Sequence, residues 1–408
     1  MNVRARIKIR ASELSLKARF AASAVLAVML TACGGGLGGD VASLPGTGGT
    51  GITAMGPVAG FGSVIVNGIR FEDSAAKVLI DGQEQSAGDT SQLRLGVVAN
   101  VVGRKSNASV TTSAVIRAQG TADRIEVWSI AQGTVTNKAS STTFSVAGMN
   151  MVVDAGTVFE GAMSTSSLNT STIVKVWGLP ITADFSQWSV TRLEVLDKAS
   201  STISTGKVVL RGSLPTLNGL ALAVSGTTLA DGQLVRAVGN LTAGTLTVSK
   251  ITALDNNGST TPATGYAEIE GIVTSIVSSN TATPAKVTRM TLGATTVDTT
   301  EALILPAGAS LASGKRVEVR GNWSNGILLA TQVSVRSANE SQEVEIQAAI
   351  EQFTSIASFI VRGQRCDASG LALTPLQISK LGVNVLVHLE GRKNGDVVRV
   401  TELEIKSR

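Results

Sequence analysis

From Gly56 onward the chain alternates apolar and polar residues in runs of five to eight, each bounded by Gly, Asn, Ser or Asp. A period of two belongs to half-buried antiparallel strands, whose successive side chains point to opposite faces. No stretch beyond the N-terminal segment sustains a helical period. Glu340 to Phe353 comes nearest, and it falls where the repeat described next requires a strand.

The runs recur in a fixed order. Each unit opens on a Gly-x-Val-like strand: "GPVAGFGSVIVNGIRF" from Gly56, "GTVTNKASSTTFSVAGMNM" from Gly133, "GKVVLRGSLPTLNGLAL" from Gly206 and "GIVTSIV" from Gly271. The fifth, "AAIEQFTSIASFIVRGQRC", has alanine in the glycine's place. A later alternating strand ends on Gly103, Gly178, Gly239, Gly321 and Gly391, and a short strand closes each unit: "SAVIRAQ", "SVTRLEVLD", "TVSKITALD", "ATQVSVRS" and "RVTELEIKS". Glycine at fixed places in strands predicts bulges, bends or turns. About five strands in 50–75 residues suit a small closed barrel, which leaves no exposed sheet edge. The expected modules are 56–124, 125–199, 200–264 with its linker, 265–338 and 339–408.

The N-terminus carries an address. Arg4, Arg6, Lys8, Arg10, Lys17 and Arg19 precede an apolar run of eleven residues, Phe20 to Leu30, too short to span a bilayer. "LTAC", Leu30 to Cys33, resembles the lipobox of bacterial lipoprotein signal peptides. That resemblance implies removal of residues 1–32 and acylation of Cys33 as a membrane anchor. The alternative is an ordinary secretory signal that leaves Cys33 a free thiol. Gly34 stands where an aspartate would resemble an inner-membrane retention signal, so the expected location is the outer membrane of the bacterial envelope. Residues 33–55, "CGGGLGGDVASLPGTGGTGITAM", read as the lipidated cysteine and a Gly-rich tether with an r.m.s. span of roughly 26 Å.

Taken together, the "G-x-V … GFGSVIVNGIRF … L-x-x-G-x-x-V-x-V-x-G … A-x-x-I" layout behind a lipobox and tether resembles a family of exported bacterial proteins. They carry tandem OB-like β-barrel modules catalogued as a domain of unknown function. The resemblance covers roughly residues 57–408 and is clearest at "GFGSVIVNGIRF" and "LASGKRVEVRG". It implies an all-β fold of about five tandem small OB-like barrels, and no activity.

Charge and composition narrow the function. Removing six of the 35 basic residues and one of the 30 acidic residues with the signal segment leaves 29 of each, so the mature chain is neutral. A basic nucleic-acid footprint is absent, and no nucleic-acid partner is expected. Aromatics are 3%, so the cores must be aliphatic. The only other cysteine is Cys366, which leaves no intramolecular disulfide once Cys33 is acylated.

The repeat assigns the tempting side chains by position. Cys366 aligns with Phe71, Met151, Leu222 and Val297, an apolar slot, and so belongs to a core. His388, the only histidine, lies three before Gly391 and aligns with Asn100, Lys175, Arg236 and Glu318. That position is polar and outward, so His388 is expected to be solvated. A nucleophile–base pair and a zinc site are therefore not expected. Glu72, Asp73, Asp81 and Glu84 cluster in apparent turns and read as solvated, and "DNN" at 255–257 reads as linker and not as a calcium loop. No phosphate-binding loop ending in Lys-Ser/Thr is present, and no cofactor is implied. Among Trp128, Trp177, Trp188 and Trp323, Trp188 and Trp323 fall in presumed loops between the last two strands of units two and four. They are the candidates for contact with a ligand or partner, against a simpler role as lids on their own barrels.

The expected function is a non-enzymatic envelope lipoprotein, a rod of barrels for binding or spacing. Its partners are the membrane through Cys33 and an envelope protein or polysaccharide. The alternatives are a carboxylate enzyme acting on envelope glycans and a purely mechanical spacer.

Overall fold

The computed structural model describes residues 8–10, 51–112, 115–138, 140–162, 164–254, 264–279, 286–337 and 343–406. Each unit is a closed five-stranded barrel. In the first, Gly51–Phe61, Val64–Val66, Ile69–Glu72, Val98–Thr112 and Val115–Val127 close in the order one-two-three-five-four-one. All neighbours are antiparallel except the third and fifth strands, which run parallel. Ala131–Asn137, Thr143–Val146, Met149–Val152, Ile173–Pro180 and Gln187–Leu196 close the second barrel in the same way. The third uses Thr202–Val209, Thr216–Leu217, Leu220–Ala223, Leu234–Thr242 and Thr245–Ala253. The fourth uses Thr264–Ser278, Val287–Leu292, Thr295–Asp298, Arg316–Ser324 and Ile327–Val335. The fifth uses Glu343–Ser355, Ser358–Val361, Gln364–Asp367, Leu386–Asn394 and Val397–Ile405.

Local chemistry explains the recurring glycines. The pairing register shifts at Gly103, Gly178, Gly239, Gly321 and Gly391, which makes each a bulge. A Cβ added to Gly239 or Gly321 would lie 2.1 Å from the carbonyl oxygen of Thr247 or Leu329 on the facing strand. Close backbone approach therefore requires glycine there. The opening glycine has a different cause. The two-residue turn at Asn218 and Gly219 takes φ of 50° and 81°, the primed geometry that matches strand twist. The Asn218 amide then folds back to donate to the Thr205 carbonyl at 3.0 Å, and a Cβ on Gly206 would meet its Oδ1 at 2.7 Å. Asn67 stands over Gly56 in the same way.

Inside the barrels the repeat holds as read. Phe71, Met151, Leu222 and Val297 are fully buried, and Cys366 in the same slot is 1% exposed. Fully burying an aliphatic or aromatic side chain of this size contributes about 1.5–3 kcal/mol. The third barrel has the smallest core, six buried residues around Val208 and Leu246.

Three expectations are corrected. The first strand of the first barrel begins at Gly51, inside the expected tether, because Ile52 and Ala54 have buried slots to fill. "SAVIRAQ" is not the first closing strand. Gly103 faces Ala122, so the equivalent segment is Thr121 to Val127, and Val115 to Gln119 of "SAVIRAQ" lie in a hairpin extension of the last two strands. Near 340–353 the strand that the repeat required is present as Glu343–Ser355, paired with Leu386–Asn394. The barrels, finally, do not form a rod. The first strand of the first barrel pairs in parallel with two others, Ile52–Met55 with Tyr266–Ile269 of the fourth barrel and Gly60–Phe61 with Glu345–Ile346 of the fifth. One apolar cluster runs through barrels one and five and takes in Val158 and Trp177 of the second. The first barrel is thus a hub around which the others pack.

Lys8–Arg10 adds a short antiparallel strand to Val397–Ile405. No helix among the described residues is long and apolar enough to cross a membrane.

Candidate functional site

Packing round a hub leaves a cleft where barrels one, two and three meet. Trp128, at the exit of the first barrel, and Phe185 and Trp188, from the last hairpin of the second, give it aromatic walls. Leu234 and Leu254 of the third barrel add aliphatic surface, and Arg236 is the cation among the lining residues. The rings of Phe185 and Trp188 sit 5.8 Å apart at a tilt of 57°. The Trp188 indole N–H donates to the Phe185 carbonyl at 2.8 Å, which fixes the ring. The Arg236 guanidinium lies over the Trp128 ring at 5.2 Å.

The cleft is anchored by one carboxylate. Asp81 Oδ1 accepts from Arg236 Nη2, Ser129 N and Ser129 Oγ, each at 2.8 Å, and Lys175 Nζ lies 2.7 Å from Oδ2. One side chain of the first barrel thereby ties down the second and third. Burial would raise the Asp81 carboxyl, but Arg236 and Lys175 outweigh it and hold the group below the usual carboxylate range. Asp81 is therefore not the solvated turn carboxylate expected.

Comparable charged seams lie at the other junctions. Between barrels one and five, Arg70 pairs with Glu345, and His388 Nε2 lies 3.7 Å from Glu345 Oε1 and 3.8 Å from Glu390 Oε1. His388 is only 13% exposed, so the expected solvated histidine is corrected: it faces out of its own barrel and into the seam. Glu345, His388 and Glu390 offer ligand atoms within 4.8 Å of one another. Arg70 already neutralises the Glu345 carboxylate, however, and this set fits an ion-pair seam better than a divalent metal. Between barrels one and four, Asn67 Nδ2 donates to the Glu268 carbonyl at 2.8 Å; beside it, within the fourth barrel, Tyr266 Oη donates to Glu268 at 2.6 Å, and Arg320 lies 3.3 Å from Glu268 and 3.1 Å from Glu318. Burial raises the Glu268 carboxyl despite Arg320. Between barrels two and five, Lys393 Nζ donates to the Thr157 carbonyl at 2.5 Å, and burial pushes its ammonium down to about 8.

The other candidates fall as follows. Trp188 and Trp323 lie in strands, not loops, and each is 5% exposed within the core of its own barrel. The apolar surface of each indole is better used filling a barrel end than facing water. Trp188 still lines the cleft, whereas Trp323 does not. Cys366 lies inside the fifth barrel and His388 outside it, and burial pushes the thiol up to about 12. Cys33 and residues 255–257 lie outside the described residues. Trp128, Asp81 and Arg236 were not singled out as a site by the sequence. The one signal was a polar residue recurring three before each landmark glycine, and it carried no information on which partner, 155 positions away, covers it.

Five closed barrels sharing one strand order, fused through charged seams, define a multi-barrel all-β protein with OB-like modules. Its second and fourth barrels match the family model described as a domain of unknown function (DUF5666), over residues 132–185 and 270–334. A search of curated proteins gave no match.

Proposed function

We propose that this chain is a non-enzymatic envelope lipoprotein, anchored through Cys33 in the outer membrane, whose barrels form one body that binds an envelope protein or polysaccharide. The observation that carries the binding role is the aromatic cleft at the junction of barrels one, two and three. Concave, mostly apolar sites with a few placed polar groups are the usual ligand sites of proteins. The packing around a hub argues against a spacer, since folding five barrels on one another shortens their reach. Aromatic walls suit the apolar face of a sugar ring or an apolar anchor side chain.

Two measurements test the reading. Labelled palmitate should enter the wild-type chain and not Cys33→Ser; equal labelling overturns the anchor. The full chain should retain envelope material, by pull-down or glycan array, and Trp128→Ala should lose that retention while unfolding at the wild-type temperature. Retention unchanged in Trp128→Ala overturns the cleft as the binding site.

A further inference from the structure

The strand at the centre of the hub, Gly51–Phe61, is paired on both edges. Over Gly51–Pro57 its own barrel holds one edge, through the antiparallel run Val98–Arg104. Across Ile52–Met55 the fourth barrel holds the other, through Tyr266–Ile269. Further along, Val58 and Gly60 pair with Val66 and Ile65 of the same barrel, and Gly60–Phe61 pairs with Glu345–Ile346 of the fifth. Between the first strands of barrels two and three the described residues form one such pair, Gln132 with Ile203.

A side chain completes the join. Asn67 sits in the two-residue turn Asn67–Gly68, at φ of 51° and 76°. Its buried amide donates to the Met55 carbonyl at 2.9 Å and to the Glu268 carbonyl at 2.8 Å. One amide thus bridges the first strands of barrels one and four where their parallel pairing ends. Asn218, in the equivalent turn of the third barrel, donates within its own barrel, to the Thr205 carbonyl and the Ser204 hydroxyl, each at 3.0 Å.

We infer that Gly51–Phe61 is a shear clamp, which lets the body keep hold of a bound partner while tension enters at its N-terminal end. The bonds of an antiparallel ladder lie perpendicular to the strand. A pull on Gly51 along the strand therefore strains the bonds on both edges together, whereas a pull across a strand opens them one at a time. Tension is shared among barrels one, four and five instead of stripping the first strand from its barrel. The same strand carries Met55, which lines the cleft, so holding the strand in place also holds the cleft. The inference rests on the anchored-binder reading in one respect: the anchor supplies the pull and the bound partner supplies the resistance.

Constant-force spectroscopy on the full chain tests this, with handles on the unacylated Cys33 and on Thr170→Cys, an exposed position of the second barrel. Asn67→Gly keeps the positive φ and removes both amide bonds, so the lifetime of the first rupture should shorten at least about tenfold. Asn218→Gly, the same change outside the path of tension, should leave that lifetime within about twofold of wild type. A second pair of handles, on Ala87→Cys and Thr170→Cys in a chain carrying Cys33→Ser, bypasses Gly51, and there Asn67→Gly should match wild type. Lifetimes unchanged by Asn67→Gly with the first pair, shortened equally with both pairs, or shortened as much by Asn218→Gly overturn the clamp. The pull comes through the handles and not through lipid or ligand, so this result is distinct from a failure of palmitate labelling or of retention.

Discussion

The insides of the five barrels and the seams between them obey different rules. Inside, one slot is filled by Phe71, Met151, Leu222, Val297 and Cys366, all apolar and buried. At the seams, the outward position three before each landmark glycine holds Asn100, Lys175, Arg236, Glu318 and His388, with no shared charge. Arg236 is nonetheless 2% exposed and as buried as the core. The interior is repeated because each barrel meets the same requirement of filling itself. The seams vary because each barrel meets a different neighbour: Arg236 is paired by Asp81 of the first barrel, whereas Glu318 is paired by Arg320 and Arg336 of its own.

The comparison can be broken hardest at a bulge. Gly321→Val drives a side chain into the Leu329 carbonyl and should cost more than about 4 kcal/mol, unfolding the fourth barrel. Gly370→Ala, at an open glycine, should change stability by less than about 0.5 kcal/mol. Urea unfolding followed by tryptophan fluorescence compares the two, and equal effects would remove the close-approach explanation.

The seam is next. Asp81→Asn leaves Arg236 buried without its carboxylate, and a cost of about 3 kcal/mol is expected. Adding Arg236→Met should recover part of that loss, since a neutral pair no longer buries an orphan charge; a double variant as unstable as the two single losses summed would contradict the coupling. Acid acts on the same group. The folded Asp81 carboxyl sits below its ordinary value of 3.8, so its contribution is complete above that value and is lost as pH falls through the lower folded one. Glu268 has the opposite sign. Its folded value lies above 4.5, so its contribution is full below 4.5 and is lost as pH rises through the folded value.

Lys393 sharpens the comparison at high pH. Its folded ammonium titrates at about 8 against an ordinary 10.5, so stability should rise between those values and fall as pH drops through 8. The span is worth roughly 2–3 kcal/mol, and Lys393→Met should flatten that part of the stability–pH curve. The smallest effect belongs to the interior cysteine. Cys366→Ala should cost roughly 1–2 kcal/mol, and the wild-type thiol, pushed up to about 12, should resist alkylation at pH 8 until the barrel unfolds.

Much of the fold was legible. Alternation located the strands, and the alignment of Cys366 with Phe71, Met151, Leu222 and Val297 placed a cysteine in a core. The errors came where chain continuity was mistaken for repeat equivalence. "SAVIRAQ" alternates as well as the true closing segment, because its residues Val115 to Gln119 belong to the same long strand, and only the register of Gly103 with Ala122 separates them. Glycine content suggested that Gly51 to Met55 was tether, yet Ile52 and Ala54 between the glycines are enough to claim core slots. The cleft was the least legible part, since Trp128, Trp188 and Arg236 come from three units and nothing local links them.

The sequence by itself determined the barrels: period-two alternation, bulge glycines and turn asparagines act over a few residues, and each unit can satisfy them alone. The tertiary structure decided how the barrels meet, hence the hub, the buried outward charges and the cleft. Those depend on pairings between residues far apart in the chain, where a surface position carries the same polar residue whether it ends facing water or an opposite charge.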